Sequence, residues 1–126
     1  MRFNHVTLAV KEIPRARTFY TTLGFRPVVD EPHYCRFLAP VGEGTLSIER
    51  KVEDFHSGDE IGFEFDTPAA LDAEVARLEA AGLTFAHGPT DQTWLWRDSR
   101  LVDPDGHVLM FYYAGKNRLD PPWAVR

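Results

Sequence analysis

Residues 3–10 alternate in character, with Phe3, His5, Thr7 and Ala9 on one side and Asn4, Val6, Leu8 and Val10 on the other, which predicts a strand. The second side is the more apolar and is expected to pack against a helix. The pattern then changes period. Pro14 suits a first helical turn, Ala16, Phe19, Tyr20 and Leu23 recur at helical spacing, and Gly24 marks a C-terminal stop. Strands are expected to begin at residues 25–29 and to run over 34–39 and 45–50, with a turn at 40–44. Residues 51–59 are polar and contain His56, Ser57 and Gly58, so they read as a linker.

The same order of elements follows a second time. Residues 61–66 read as a strand, Thr67 as an N-cap with Pro68 at the first helical position, and Leu71, Val75 and Leu78 as an apolar stripe that Gly82 ends. A strand is expected to start at residues 83–87 and another to run over 94–102. Asp103-Pro104-Asp105-Gly106 is a tight turn, and residues 107–113 are the last strand. Residues 115–126 form a tail for which no regular structure is expected. Two copies of a βαβββ unit imply an α+β fold in which two curved, mixed sheets carry helices outside and enclose a cavity between their concave faces. The organisation is one domain over residues 1–113, made of modules at about 1–52 and 59–113, with the tail at 114–126 packing on the domain or a partner subunit.

Composition narrows the function classes. At 126 residues with 44% hydrophobic and 26% charged content, the chain suits one globular domain. A formal charge of -5 with scattered Lys and Arg gives no basic face for nucleic acid or an anionic membrane. Cys35 stands alone, which excludes an intrachain disulfide and a two-cysteine metal knuckle. No apolar stretch approaches the ~20 residues of a membrane span, residues 1–10 lack a signal-peptide core, and the cytoplasm is the default expectation.

Several pieces taken in order resemble the vicinal-oxygen-chelate superfamily, which comprises glyoxalases, bleomycin-resistance proteins and extradiol dioxygenases. They are the strand Asn4-His5-Val6-Thr7-Leu8-Ala9-Val10, then Phe19-Tyr20 and Leu23-Gly24-Phe25, then Phe63-Glu64-Phe65-Asp66, and the turn Asp103-Pro104-Asp105-Gly106. The resemblance implies the glyoxalase/bleomycin-resistance fold, a small-molecule ligand or substrate, and a homodimer. It also implies a divalent metal held by one residue from each of four inner strands. The matching positions are His5, Glu49 and Glu60, with Glu49 and Glu60 as carboxylates for catalysis. The fourth position, usually Glu, is Met110 here.

That departure divides the functional expectation. A thioether is a poor ligand for a hard divalent ion and cannot act as a base. The first reading is therefore a binding protein, or an enzyme working without the full metal site, and no metal at all. The second is a lyase, isomerase or dioxygenase holding zinc, nickel, iron or manganese through His5, Glu49 and Glu60. A structural dimer module is a third. Ligand contacts are expected from Glu64, Met110, Tyr112, Trp94, Trp96 and Arg36. Each has a plainer alternative in packing or a solvated surface. The two tryptophans are expected on one strand face, Arg97 and Arg100 join Arg36 as anion-binding candidates, and His33, His56, His87 and His107 are expected at the surface. In the tail, Pro121, Pro122 and Trp123 are expected to anchor and to close one end of the cavity.

Overall fold

The computed structural model describes residues 1–53 and 55–125; Asp54 of the linker and Arg126 of the tail lie outside the described residues. The chain divides into two units: Met1–Gly58 with Asp103–Gly106, and Asp59–Val102 with His107–Arg126. The sheet of the first unit contains β1 (His5–Val10), β2 (Arg26–Glu31), β3 (Tyr34–Leu38) and β4 (Thr45–Arg50) in the order β1-β4-β3-β2. β1 runs parallel to β4 and the other pairs are antiparallel. The second unit repeats this with β5 (Glu60–Glu64), β6 (Thr90–Asp91), β7 (Arg97–Val102) and β8 (Val108–Tyr113) in the order β5-β8-β7-β6, with β5 parallel to β8. This is the α+β, mixed-sheet architecture that the duplicated pattern predicts.

One face of each sheet carries a helix. In the first unit, α1 (Ile13–Thr22) buries Ile13, Ala16, Phe19 and Tyr20 against the Leu8, Val10, Cys35, Phe37, Leu46 and Ile48 side of the strands. Tyr20 lies edge-on to Phe19 and to Phe25, so aromatic rings fill the gap between helix and sheet. Burial pushes the Cys35 thiol up, which leaves it an inert core residue. In the second unit, α2 (Pro68–Ala80) buries Leu71, Val75 and Leu78 on the side of the sheet that carries Leu101, Leu109 and Phe111. Gly24 and Gly82 follow the two helices at φ 99° and 98°, a conformation that glycine adopts without strain. Among the described residues, no helix is long and apolar enough to cross a membrane.

Four expectations are corrected. Residues 83–87 form no strand: they touch β7 through isolated bonds, Ala86 N–H to Arg100 O at 2.7 Å and the Ser99 hydroxyl to His87 O at 2.5 Å. Gly88 and Pro89 stop any ladder there, so β6 is two residues long. The segment 94–96 is a hairpin loop and not part of β7, with Gln92 N–H bonded to Trp96 O and Leu95 at φ 69°. His107 is 1% exposed and not a surface residue. The tail begins with a short 3-10 helix (Gly115–Arg118), and its Trp123 is 59% exposed.

Candidate functional site

Because side chains alternate along a strand, the face of each sheet away from its helix is a separate surface. On the first unit that face carries His5, Thr7, Thr45, Ser47, Glu49, Tyr34 and Arg36. The register sets His5 opposite Thr45, Thr7 opposite Ser47 and Ala9 opposite Glu49. Both imidazole nitrogens of His5 are engaged: Nδ1 lies 2.6 Å from Thr45 Oγ1 and Nε2 3.1 Å from Thr7 Oγ1. Glu49 sits four residues beyond Thr45 on β4, on the order of 13 Å along the strand, so the register does not bring it to His5. Its neighbour across the antiparallel pair is Tyr34. The Tyr34 hydroxyl lies 2.7 Å from Ser47 Oγ and accepts a 2.9 Å bond from Arg36 Nε, and the Arg36 guanidinium stacks 5.5 Å above the Tyr34 ring.

On the second unit, Glu60, Gly62 and Glu64 of β5 stand beside Val108, Met110 and Tyr112 of β8, as alternation predicts. Across the β7–β8 hairpin, Arg100 is opposite Met110 and Asp98 opposite Tyr112. Arg100 ties these residues together. Its Nε donates to Glu60 Oε1 at 3.0 Å, its NH1 to Asp98 Oδ2 at 2.8 Å, and its NH2 to Met110 Sδ at 3.3 Å. Asp98 is fully buried and also accepts from Gln92 Nε2 at 2.9 Å, with His87 Nε2 at 3.8 Å from the same oxygen. Tyr112 and Met110 pack closely over Gly62 on this face: a Cβ there would meet Tyr112 Cε1 at 3.0 Å and Met110 Cε at 3.6 Å.

The tail closes one side of the same face. Arg118 Nε donates to Glu64 Oε2 at 3.2 Å, and Trp96 Nε1 donates to Asn117 O at 3.2 Å while its ring stacks on Tyr112 at 4.5 Å. Burial first, then the Glu64 carboxylate, pushes the Tyr112 phenol up, with Arg118 opposing. Trp96 and Tyr112 thus contact each other directly, whereas Trp94 is 41% exposed.

The donor set implied for a metal does not fit in this arrangement. His5 has both nitrogens on threonine hydroxyls, Glu49 is displaced along β4, and Glu60 is already neutralised by a guanidinium. Among the described residues, no group of three or more His, Cys, Asp or Glu side chains is placed to hold a metal ion. Alternation sets Thr7 beside His5 on one side of the first strand, but reading residue types along the strands does not find Thr45, Ser47, Tyr34 or Asp98 as members of these faces. One available signal was the turn at 103–106, since counting back from it pairs Arg100 with Met110.

The sequence pattern of the Glyoxalase/Bleomycin resistance protein/Dioxygenase superfamily matches residues 2–111. No curated protein sequence matches the chain. Solved structures share its fold. A glyoxalase/bleomycin resistance protein/dioxygenase from Nocardioides superposes with a TM-score of 0.83 at 19% identity, covering 100% of this chain and 90% of its own. A glyoxalase/bleomycin resistance protein/dioxygenase family enzyme from Burkholderia phytofirmans PsJN gives 0.73 at 20% identity, over 88% and 97%. A lactoylglutathione lyase from Agrobacterium tumefaciens gives 0.75 at 16% identity, over 89% and 92%. The match over residues 2–111 shows that this chain belongs to the glyoxalase/bleomycin resistance protein/dioxygenase superfamily.

Proposed function

We propose that this chain binds a small organic molecule on a polar sheet face, without a divalent metal at the family position. The observation that carries this reading is Arg100. Its guanidinium lies among Glu60, Asp98 and Met110, where it supplies a fixed positive charge and satisfies the carboxylates that a cation would otherwise attract. Glu60 is therefore held as a structural acceptor, and Met110 gives this part of the face an apolar floor. Trp96 on Tyr112 adds a flat aromatic wall within the second unit. The reading includes a homodimer, as the family resemblance implies, which light scattering on the purified protein checks.

Metal content by mass spectrometry, followed by calorimetric titration with nickel, zinc, iron and manganese, tests the proposal. The expected result is no metal held through purification and no stoichiometric uptake. One equivalent of metal, lost in His5→Ala, would overturn the reading in favour of metal-dependent chemistry at His5, Glu49 and Glu60. Gly62→Phe provides a second check, because a ring there displaces Tyr112 and Met110 and is expected to abolish ligand binding on this face.

A further inference from the structure

Arginines in this chain fall into distinct groups. Arg15, Arg17, Arg77, Arg97, Arg100 and Arg118 are each paired with a carboxylate of their own unit. Arg36 differs. It is positioned by its bond to the Tyr34 hydroxyl and by the Tyr34 ring beneath it, yet among the described residues it is paired with no carboxylate. Positioning of this kind restricts the rotamers of a long side chain, and a restricted guanidinium gives up less entropy when it binds.

The bonding around it is directional. Arg36 Nε–H donates to the Tyr34 oxygen, and the Tyr34 and Ser47 hydroxyls share a 2.7 Å hydrogen bond. Ser47 is fully buried, so this chain of bonds is anchored in the sheet. One guanidinium N–H is used, and among the described residues those on the two terminal nitrogens meet no acceptor. Two parallel N–H groups in one plane match the two oxygens of an oxyanion. The row of face residues beside Arg36 is Ser47 and Thr7 on one side and Val29 on the other, and none is acidic. Glu49 and Glu31 lie opposite Tyr34 in the next row, and neither forms an ion pair with Arg36.

We infer that a small molecule bound on the open face of the first unit carries an anionic oxygen group, a carboxylate or a phosphate, and that Arg36 is the residue that grips it. The inference rests on the small-molecule reading above and adds the chemical class of the ligand. Tyr34 and Ser47 act as positioning residues, since they aim the guanidinium without contributing charge.

The test uses benzoate, phenyl phosphate and neutral benzamide as probes of similar size, followed through amide NMR shifts of the intact chain. Benzoate or phenyl phosphate is expected to bind about tenfold more tightly than benzamide, with shifts at residues 34–37 and 47. Whichever anion binds more tightly identifies the group as carboxylate or phosphate. Arg36→Met is expected to erase that preference while leaving the fold intact, because Arg36 is exposed and unpaired. Tyr34→Phe is expected to lower it severalfold by freeing the guanidinium. Arg50→Met, which removes an exposed arginine elsewhere on β4, is expected to leave it unchanged. Binding of both benzoate and phenyl phosphate no tighter than that of benzamide would overturn the inference and leave the small-molecule reading standing. So would a preference that survives Arg36→Met or falls equally in Arg50→Met. Absence of benzoate and phenyl phosphate shifts at residues 34–37 at millimolar concentration would overturn it as well. Stoichiometric metal uptake would instead overturn the metal-free reading and leave the part played by Arg36 untouched.

Discussion

The open face of the first sheet is tied by hydroxyls and an imidazole, whereas that of the second is tied by ions. His5 rests between Thr7 and Thr45, and Tyr34 between Arg36 and Ser47. In the second unit, Glu60 and Asp98 share Arg100, and Glu64 pairs with Arg118. The same βαβββ plan therefore carries two surfaces of different chemistry. A neutral network has no buried net charge to compensate, so it leaves an arginine free to meet a ligand. An ionic network around a buried carboxylate must keep its arginine. The comparison teaches that Arg36 and Arg100, alike in type and each on the middle of an inner strand, answer to opposite demands.

The largest effect that would break this comparison comes from Arg100. Arg100→Met leaves the fully buried Asp98 carboxylate with Gln92 as its remaining hydrogen-bond donor and frees Glu60. A loss of about 3 kcal/mol is expected by urea unfolding, toward the low end for a broken buried pair because the Arg100 side chain is 29% exposed. Adding Asp98→Asn should recover a large part of that loss, since the uncompensated charge is then gone. Arg36→Met, by contrast, is expected to change stability by no more than about 0.5 kcal/mol. Equal losses for the two arginines would mean that the distinction between structural and available guanidinium is wrong.

A second, smaller effect asks whether the first unit also depends on a buried charge, away from its open face. Tyr20 donates a 2.5 Å bond to Asp103 Oδ2, and both residues are buried. Tyr20→Phe is expected to cost about 2 kcal/mol, the range for a bond to a charged acceptor. Burial first, then the neighbouring Asp103 carboxylate, pushes the Tyr20 phenol far above its ordinary value of 10.0. The folded chain therefore keeps a proton that the unfolded chain releases once the pH passes about 10. Stability present below that pH is lost as it rises further, with a slope approaching about 1.4 kcal/mol per pH unit for one proton. Tyr20→Phe should remove one proton's worth of that slope in unfolding titrations above pH 10. Part of the slope remains, because burial also pushes the Cys35 thiol and the Tyr112 phenol up. An unchanged slope in the variant would assign the alkaline loss elsewhere.

The fold was legible wherever local chemistry alone decides structure. The alternation of residues 3–10, the Pro14 and Pro68 helix starts and the Gly24 and Gly82 stops each rest on a backbone property of one or two residues. Segment 83–87 was not legible, because a short apolar run has no period of its own and Gly88 and Pro89 end it before a ladder forms. The loop at 94–96 turns on Leu95 at φ 69°, a conformation that nothing in a leucine announces. The burial of His107 likewise depends on what packs around it. The candidate site was half legible. Alternation puts Glu60 with Glu64 on one strand and Met110 with Tyr112 on another, and the β5–β8 register sets the two pairs side by side. The placement of Glu49 relative to His5 depends on the register of the parallel β1–β4 pair, which no turn between those strands fixes.

The smallest effect separates the two helices and tests whether the duplicated plan is equally well specified in both units. Thr67 caps α2, its hydroxyl accepting a 3.1 Å bond from Ala70 N–H, so one otherwise unmet donor of the first turn is satisfied. Glu12 holds the same place before α1 with extended backbone at φ -137° and makes no side-chain cap bond, and no acidic residue stands in the first turn. Its side chain is one methylene too long to fold back onto the N–H groups of the turn that follows. Thr67→Ala is expected to lose about 1 kcal/mol, whereas Glu12→Asp keeps the charge, shortens the reach and should gain about 0.5 kcal/mol. Opposite signs in paired urea titrations would show that the first unit carries an uncorrected local weakness that its aromatic core outweighs. Matching losses would show instead that the Glu12 side chain supports the start of α1 by a contact other than a cap.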